Sequence, residues 1–83
     1  MVVHGLVQGV FFRDGCAGEA RAVGVTGWIR NRADGTVEAW FEGGPEEVRA
    51  LVAWCRQGPP HAEVTAVDAA TVSPTGLERF RIQ

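Results

Sequence analysis

Gly5-Leu6-Val7-Gln8-Gly9-Val10-Phe11-Phe12-Arg13 carries a strand through a glycine turn into a helix. Val2 to Val7 is a short β-rich run and reads as the first strand. Phe12, Cys16, Ala17, Ala20 and Val23 then recur at helical spacing, which predicts a helix over about 12–23 with Gly24 as its left-handed stop. Backbone N–H groups at a helix start converge on one point, and the helix dipole adds partial positive charge there. Arg13 stands in that first turn. A cation at a helix N-terminus is unfavourable unless an anion compensates it, and its planar guanidinium suits phosphate oxygens. The stretch therefore reads as an anion cradle built from the amides of Gln8, Gly9, Val10, Phe11 and Phe12 together with Arg13.

Outward from this unit comes a hairpin. Thr26 to Asn31 and Thr36 to Glu42 flank a loop, Ala33 to Gly35, with Gly35 in the αL position of a bulge turn. Gly27, Ile29 and Asn31 share one face with Val37, Ala39 and Phe41, so odd residues oppose odd ones and Trp28 opposes Trp40 on the outer face. That pair reads as cross-strand packing in preference to a stacking platform for bases. A second helix follows, with Pro45 at its first position, Glu46 and Glu47 in its first turn, and an apolar stripe of Val48, Leu51, Val52 and Cys55. Arg56 and Gly58 close it. Ala62 to Val72 reads as a strand with a bulge, because Val64 and Val67 break strict alternation. Ser73 to Gly76 reads as a turn, and Leu77 to Ile82 as a last strand with Phe80 and Ile82 facing inward. Right-handed βαβ crossovers then give an α+β, ferredoxin-like split βαβ sandwich: one antiparallel sheet with both helices on one face, a single domain over residues 1–83. Gly15 and Gly18 weaken the first helix by roughly 1 kcal/mol each relative to alanine. Tertiary packing must hold that helix, or the glycines permit close approach to the sheet.

Composition narrows the chemistry. At 46% hydrophobic and 22% charged residues the chain reads as a soluble globular domain. No apolar run approaches the roughly 20 residues of a membrane span, and no secretory leader is visible, so the expected location is the cytoplasm. A net charge of −2 gives no electrostatic case for nucleic acid or an anionic membrane. Cys16 and Cys55 lack metal-ligand spacing and read as small buried hydrophobes, with a disulfide disfavoured in a reducing compartment. His61 follows Pro59-Pro60 in a loop, and His4 precedes the cradle as a strand residue or a substrate contact. Ser73 is the sole serine. Glu38, Glu42, Glu46 and Glu47 read as surface charges. What remains is the amide cradle, Arg13 and Asn31, the last a polar strand-end residue that suits either a site or a turn-initiating bond to its own loop.

These residues resemble the acylphosphatase family. That family carries G-x-V-Q-G-V-x-[FY]-R after its first strand, matched from Gly5 to Arg13, and G-[aromatic]-[small aliphatic]-x-N, matched by Gly27-Trp28-Ile29-Arg30-Asn31. Asp34-Gly35, Val37-Glu38-Ala39, Gly58-Pro59-Pro60 and Phe80-Arg81-Ile82 also look like the family, so the resemblance spans essentially the whole chain. It implies hydrolysis of acyl phosphates to carboxylate and inorganic phosphate. Arg13 would match the phosphate-binding arginine and Asn31 the asparagine that positions the attacking water; no metal or cofactor is implied. A monomer acting on a small molecule is expected, with inorganic phosphate as product and inhibitor. Two departures stand out: only Met1 to His4 precede Gly5, and Ile29 replaces a commoner valine or alanine. Two other readings use the same fold: an anion-binding or regulatory module without catalysis, and a domain handling carbamoyl phosphate. An RNA-binding split βαβ domain would need aromatic and basic residues on its central strands, which the first strand lacks.

Overall fold

The computed structural model describes all residues, 1–83. The chain runs β1 (Val2–Leu6), α1 (Phe12–Val23), β2 (Thr26–Asn31), β3 (Val37–Glu42), α2 (Pro45–Gln57), β4 (Glu63–Asp68) and β5 (Phe80–Ile82). The strands form one sheet in the order β4-β1-β3-β2-β5. No helix is long and apolar enough to cross a membrane.

The hairpin has the expected register. Trp28 opposes Trp40, Ile29 opposes Ala39 and Asn31 opposes Val37. Gly35 takes φ +90° in the loop, where its N–H donates to the Arg32 carbonyl. Ile29, Val37, Ala39 and Phe41 are buried between sheet and helices. On the outer face the two indoles go separate ways. Trp28 lies beneath the Arg30 guanidinium, 5.3 Å from ring centroid to Cζ, and Trp40 donates its Nε1–H to Glu42 at 2.6 Å.

The bulge also falls where the valines require it. Along β1, His4 pairs with Ala66 but Gly5 pairs with Val64, so Thr65 is the extra residue and both valines pack on the core. β4 is shorter than the expected 62–72. Its last residue, Asp68, pairs with Val2, the first residue of β1, and the ladder ends there.

The sheet is mixed, a correction to the all-antiparallel expectation: β5 runs parallel to β2. The cause is the direction of the chain. β4 lies at one edge and runs opposite to β2, so a segment that reverses over the sheet end and lands beside β2 must run with it. Residues 69–79 make that crossing without regular structure, so the expected turn over Ser73 to Gly76 and the first half of the expected last strand are absent. Phe80 faces inward as expected. Ile82 does not follow it into the core and is 38% exposed, because β5 is a three-residue outermost strand with no neighbour on its far side.

The two helices meet through small and aromatic groups. Cys16 and Cys55 are fully buried and unbridged, their sulfurs 3.8 Å apart. The hydrogen bond with Cys55, together with burial, pushes the Cys16 thiol far above the ordinary thiol range. Phe12 and Trp54 pack edge to face with centroids 5.5 Å apart. A Cβ at Gly15 would sit 2.8 Å from the Trp54 ring, so this glycine permits approach to α2, not to the sheet. Gly18 has nothing near it, and nothing in the structure explains it.

Glu42 is a further correction. It is 7% exposed, the one charged side chain in the buried set. Its carboxylate accepts bonds from Trp40 Nε1 (2.6 Å), Thr75 Oγ1 (2.8 Å), Gly76 N (3.0 Å) and Leu77 N (3.2 Å). Burial pushes its pKa up, but the donors from Trp40, Thr75 and Leu77 outweigh that and hold it down to about 2. A residue expected on the surface instead moors the crossing segment to the end of β3.

Candidate active site

The chain leaves β1 at Leu6, is pinned by Val7 (1% exposed), and reaches α1 at Phe12 (1% exposed). Between these anchors the backbone alternates in hand. Gly9 has φ +75° and Phe11 has φ +63° and ψ +27°, while Val10 between them has no positive φ. Such alternation turns successive N–H groups toward one side. Glycine takes this conformation freely; Phe11 is the sole residue other than glycine with positive φ.

This helix start supplies none of its own caps. Phe11 occupies the N-cap position and has no side-chain oxygen to offer. Its carbonyl accepts the Gly15 N–H at 3.0 Å, and no turn or loop bond uses an N–H from Gln8 to Phe12. A run of donors thus reaches the cleft without protein acceptors. The cleft has a volume of about 350 Å³ and is lined by Val7, Gly9, Phe11, Phe12, Arg13, Asp14 and Asn31.

Arg13 and Asn31 therefore come together as the sequence reading expects. Arg13 is half-buried near the N-terminus of α1, and its Nη1 donates to the Gln83 backbone oxygen at 3.1 Å. Asn31 ends β2, exposed at the cleft wall, and its side-chain amide makes no hydrogen bond within the protein. The alternative role, bonding its own loop, is filled by Asp34. That carboxylate accepts from Thr36 N (3.0 Å) and Thr36 Oγ1 (2.6 Å), which lowers its pKa. Asn31 is left with its donor and acceptor free at the cleft.

The side chain of Gln8 plays a part that the sequence reading missed. Its Nε2 donates to the carbonyls of Arg32 (2.8 Å) and Thr36 (2.9 Å), at the neck of the β2–β3 loop. One amide thus locks the turn before α1 to the hairpin at the residue after Asn31, which fixes the distance between the uncapped amides and the strand end. No local pattern reveals this, because the acceptors lie 24 and 28 residues along the chain and arrive through sheet pairing.

The remaining candidates lie elsewhere. His4 Nε2 is 2.9 Å from Asp68 across β1 and β4, away from the cleft lining. His61 is exposed in the turn after α2.

Comparison with known proteins bears on family and fold. The family model described as Acylphosphatase matches residues 1–82. An acylphosphatase of Thermococcus kodakarensis is 54% identical over 80 residues, covering 96% of this chain and 88% of that protein. One from Pelotomaculum thermopropionicum is 58% identical over 76 residues, covering 92% and 83% respectively. The crystal structure of acylphosphatase from Bacillus subtilis superposes with a TM-score of 0.94 at 36% identity, over 99% of this chain and 92% of that one. With sequence and topology in agreement along nearly its full length, the chain belongs to the acylphosphatase family.

Proposed function

We propose that this chain hydrolyses the carboxyl–phosphate bond of small acyl phosphates without a metal or cofactor, acting as a cytoplasmic monomer. The observation that carries the reading is the uncapped start of α1, whose free amides, Arg13 and Asn31 share one cleft. The amides of Gln8 to Phe12 and the Arg13 guanidinium receive the phosphoryl oxygens. Their charge is complementary to what builds up on those oxygens during transfer. Asn31 holds a water through its side-chain amide, in line with the leaving oxygen. The water oxygen bonds to phosphorus as the bond from phosphorus to the acyl oxygen breaks, and a phosphoryl oxygen takes the water's proton. The products are a carboxylate and inorganic phosphate, which rebinds as a competitive ligand.

No general acid is required. The leaving carboxylate has a parent pKa of about 4 and departs without protonation at neutral pH. The proposed pair is a guanidinium and a carboxamide, with no imidazole or carboxylic acid acting as general acid or base, so the expected pH–rate profile is broad; a narrow bell with a limb near the histidine range would contradict the assignment. The test is hydrolysis of benzoyl phosphate in EDTA by the native chain and by Asn31→Ala. The expected result is metal-free turnover that falls by about a hundredfold or more on substitution, the scale of a lost positioning group, with phosphate still bound. Phosphate binding without turnover in the native chain would leave an anion-binding module.

A further inference from the structure

Phe11 contributes its N–H to the cradle, but that role needs no phenyl ring. The left-handed backbone at φ +63° is imposed by the turn, and any side chain there endures the same crowding. Glycine or asparagine would relieve it. A phenyl ring instead stands at this position, 75% exposed, more than any other large apolar side chain in the protein. Core packing does not account for the ring, since it lies outside the hydrophobic cluster.

Its position on the cleft does. When a phosphate fills the amides of Gln8 to Phe12, the group attached to that phosphate must leave through the open mouth. Three lining residues have large apolar side chains, Val7, Phe11 and Phe12. Val7 and Phe12 are 1% exposed and have no surface to offer, so Phe11 supplies the apolar wall. Asp14, exposed in the first turn of α1, adds a negative charge to the same rim. An acyl group with a further carboxylate would meet like charge there.

We infer that the Phe11 ring is the contact for the substrate's acyl group, and that it selects aromatic or bulky apolar acyl phosphates over small ones. This rests on the acyl phosphate reading above, because the ring matters only if something attached to the phosphate projects past it. Ring–ring contacts favour offset or edge-to-face packing, and an exposed phenyl at the mouth can accept either.

The experiment compares kcat/KM for benzoyl phosphate with kcat/KM for acetyl phosphate, in the native chain, Phe11→Asn and Phe11→Tyr. Asparagine tolerates the left-handed backbone and removes the ring; tyrosine keeps the ring. The native chain is expected to favour benzoyl phosphate. Phe11→Asn is expected to lower the benzoyl-to-acetyl ratio by about fivefold, the order of one aromatic contact, mainly through the KM for benzoyl phosphate. Phe11→Tyr is expected to keep the native ratio. A purely structural role would depress both substrates together, and an unchanged ratio in Phe11→Asn overturns the inference while leaving the hydrolase reading intact. No turnover of either substrate by the native chain would overturn both.

Discussion

The two ends of the sheet handle charge in opposite ways. At the end where β1 and β2 finish, the chain presents amide donors, a guanidinium and a free carboxamide with few protein acceptors to receive them. At the end where β3 finishes, Glu42 is an anion enclosed by four donors, two of them backbone amides. The second end is a satisfied anion site, and its effect is structural: it ties the segment after β4 to the end of β3. The first end has donors of the same kind, and the one carboxylate on its rim, Asp14, accepts none of them. One molecule thus shows the same donor chemistry closed around an anion at one end and left largely without protein acceptors at the other.

The contrast is broken most sharply at Arg13. Arg13→Gln keeps a hydrogen-bonding side chain and removes the charge. It is expected to lower kcat/KM by about 10²–10³, the scale of one lost donor to a developing anion, while the thermal midpoint stays near the native value. Steady-state kinetics and calorimetry on the same sample check both halves. A large fall in the midpoint would show that Arg13 is structural instead.

Glu42→Gln is the counterpart at the other end. It is expected to lower stability and leave turnover intact. Its signature is in the pH dependence. The folded-state pKa of about 2 lies below the ordinary 4.5, so the group's contribution is fully present above pH 4.5 and is lost as pH falls toward 2. Urea midpoints between pH 6 and pH 2 should fall more steeply in the native chain than in the variant; parallel curves would remove Glu42 from the account.

Gln8→Ala sharpens the comparison within the open end. The cradle amides survive, but the link to the Arg32 and Thr36 carbonyls goes. A loss of about tenfold in kcat is expected, because slight misplacement of reacting groups is costly, with phosphate affinity less affected. Equal losses in both would mean that Gln8 holds the cradle itself and not its alignment with Asn31.

The smallest effects concern the two glycines of α1. Gly18→Ala has open space and is expected to stabilise by up to about 1 kcal/mol through helix propensity. Gly15→Ala gains the same propensity but drives a methyl into Trp54, which is wedged against Phe12. Overpacking of about 1–3 kcal/mol offsets that gain and makes the net effect destabilising. Thermal denaturation of the pair should give shifts of opposite sign.

How far the sequence was legible follows from the range of each interaction. Periodicity and turn chemistry act over a few residues, so both helices, the hairpin register and the bulge beside Val64 could be read directly. The glycine turn into α1 was legible for the same reason: it is one continuous stretch. Long-range partners were not. Gln8 bonds carbonyls across the sheet, and Glu42 bonds residues more than thirty positions later, so neither role leaves a local mark. The parallel pairing of β5 and the short reach of β4 depend on which edge was left open once the other strands had paired. The close neighbour of Gly15 belongs to the other helix, so no local pattern marks it.

The most direct test of the contrast between the ends is an amide chemical-shift titration of the native chain with inorganic phosphate. The account predicts saturable shifts at Gln8 to Arg13 and at the Asn31 side-chain amide, with none at Gly76 and Leu77, whose N–H groups are already given to Glu42. Shifts centred on the crossing segment, or on β5, with the cradle silent, would contradict it.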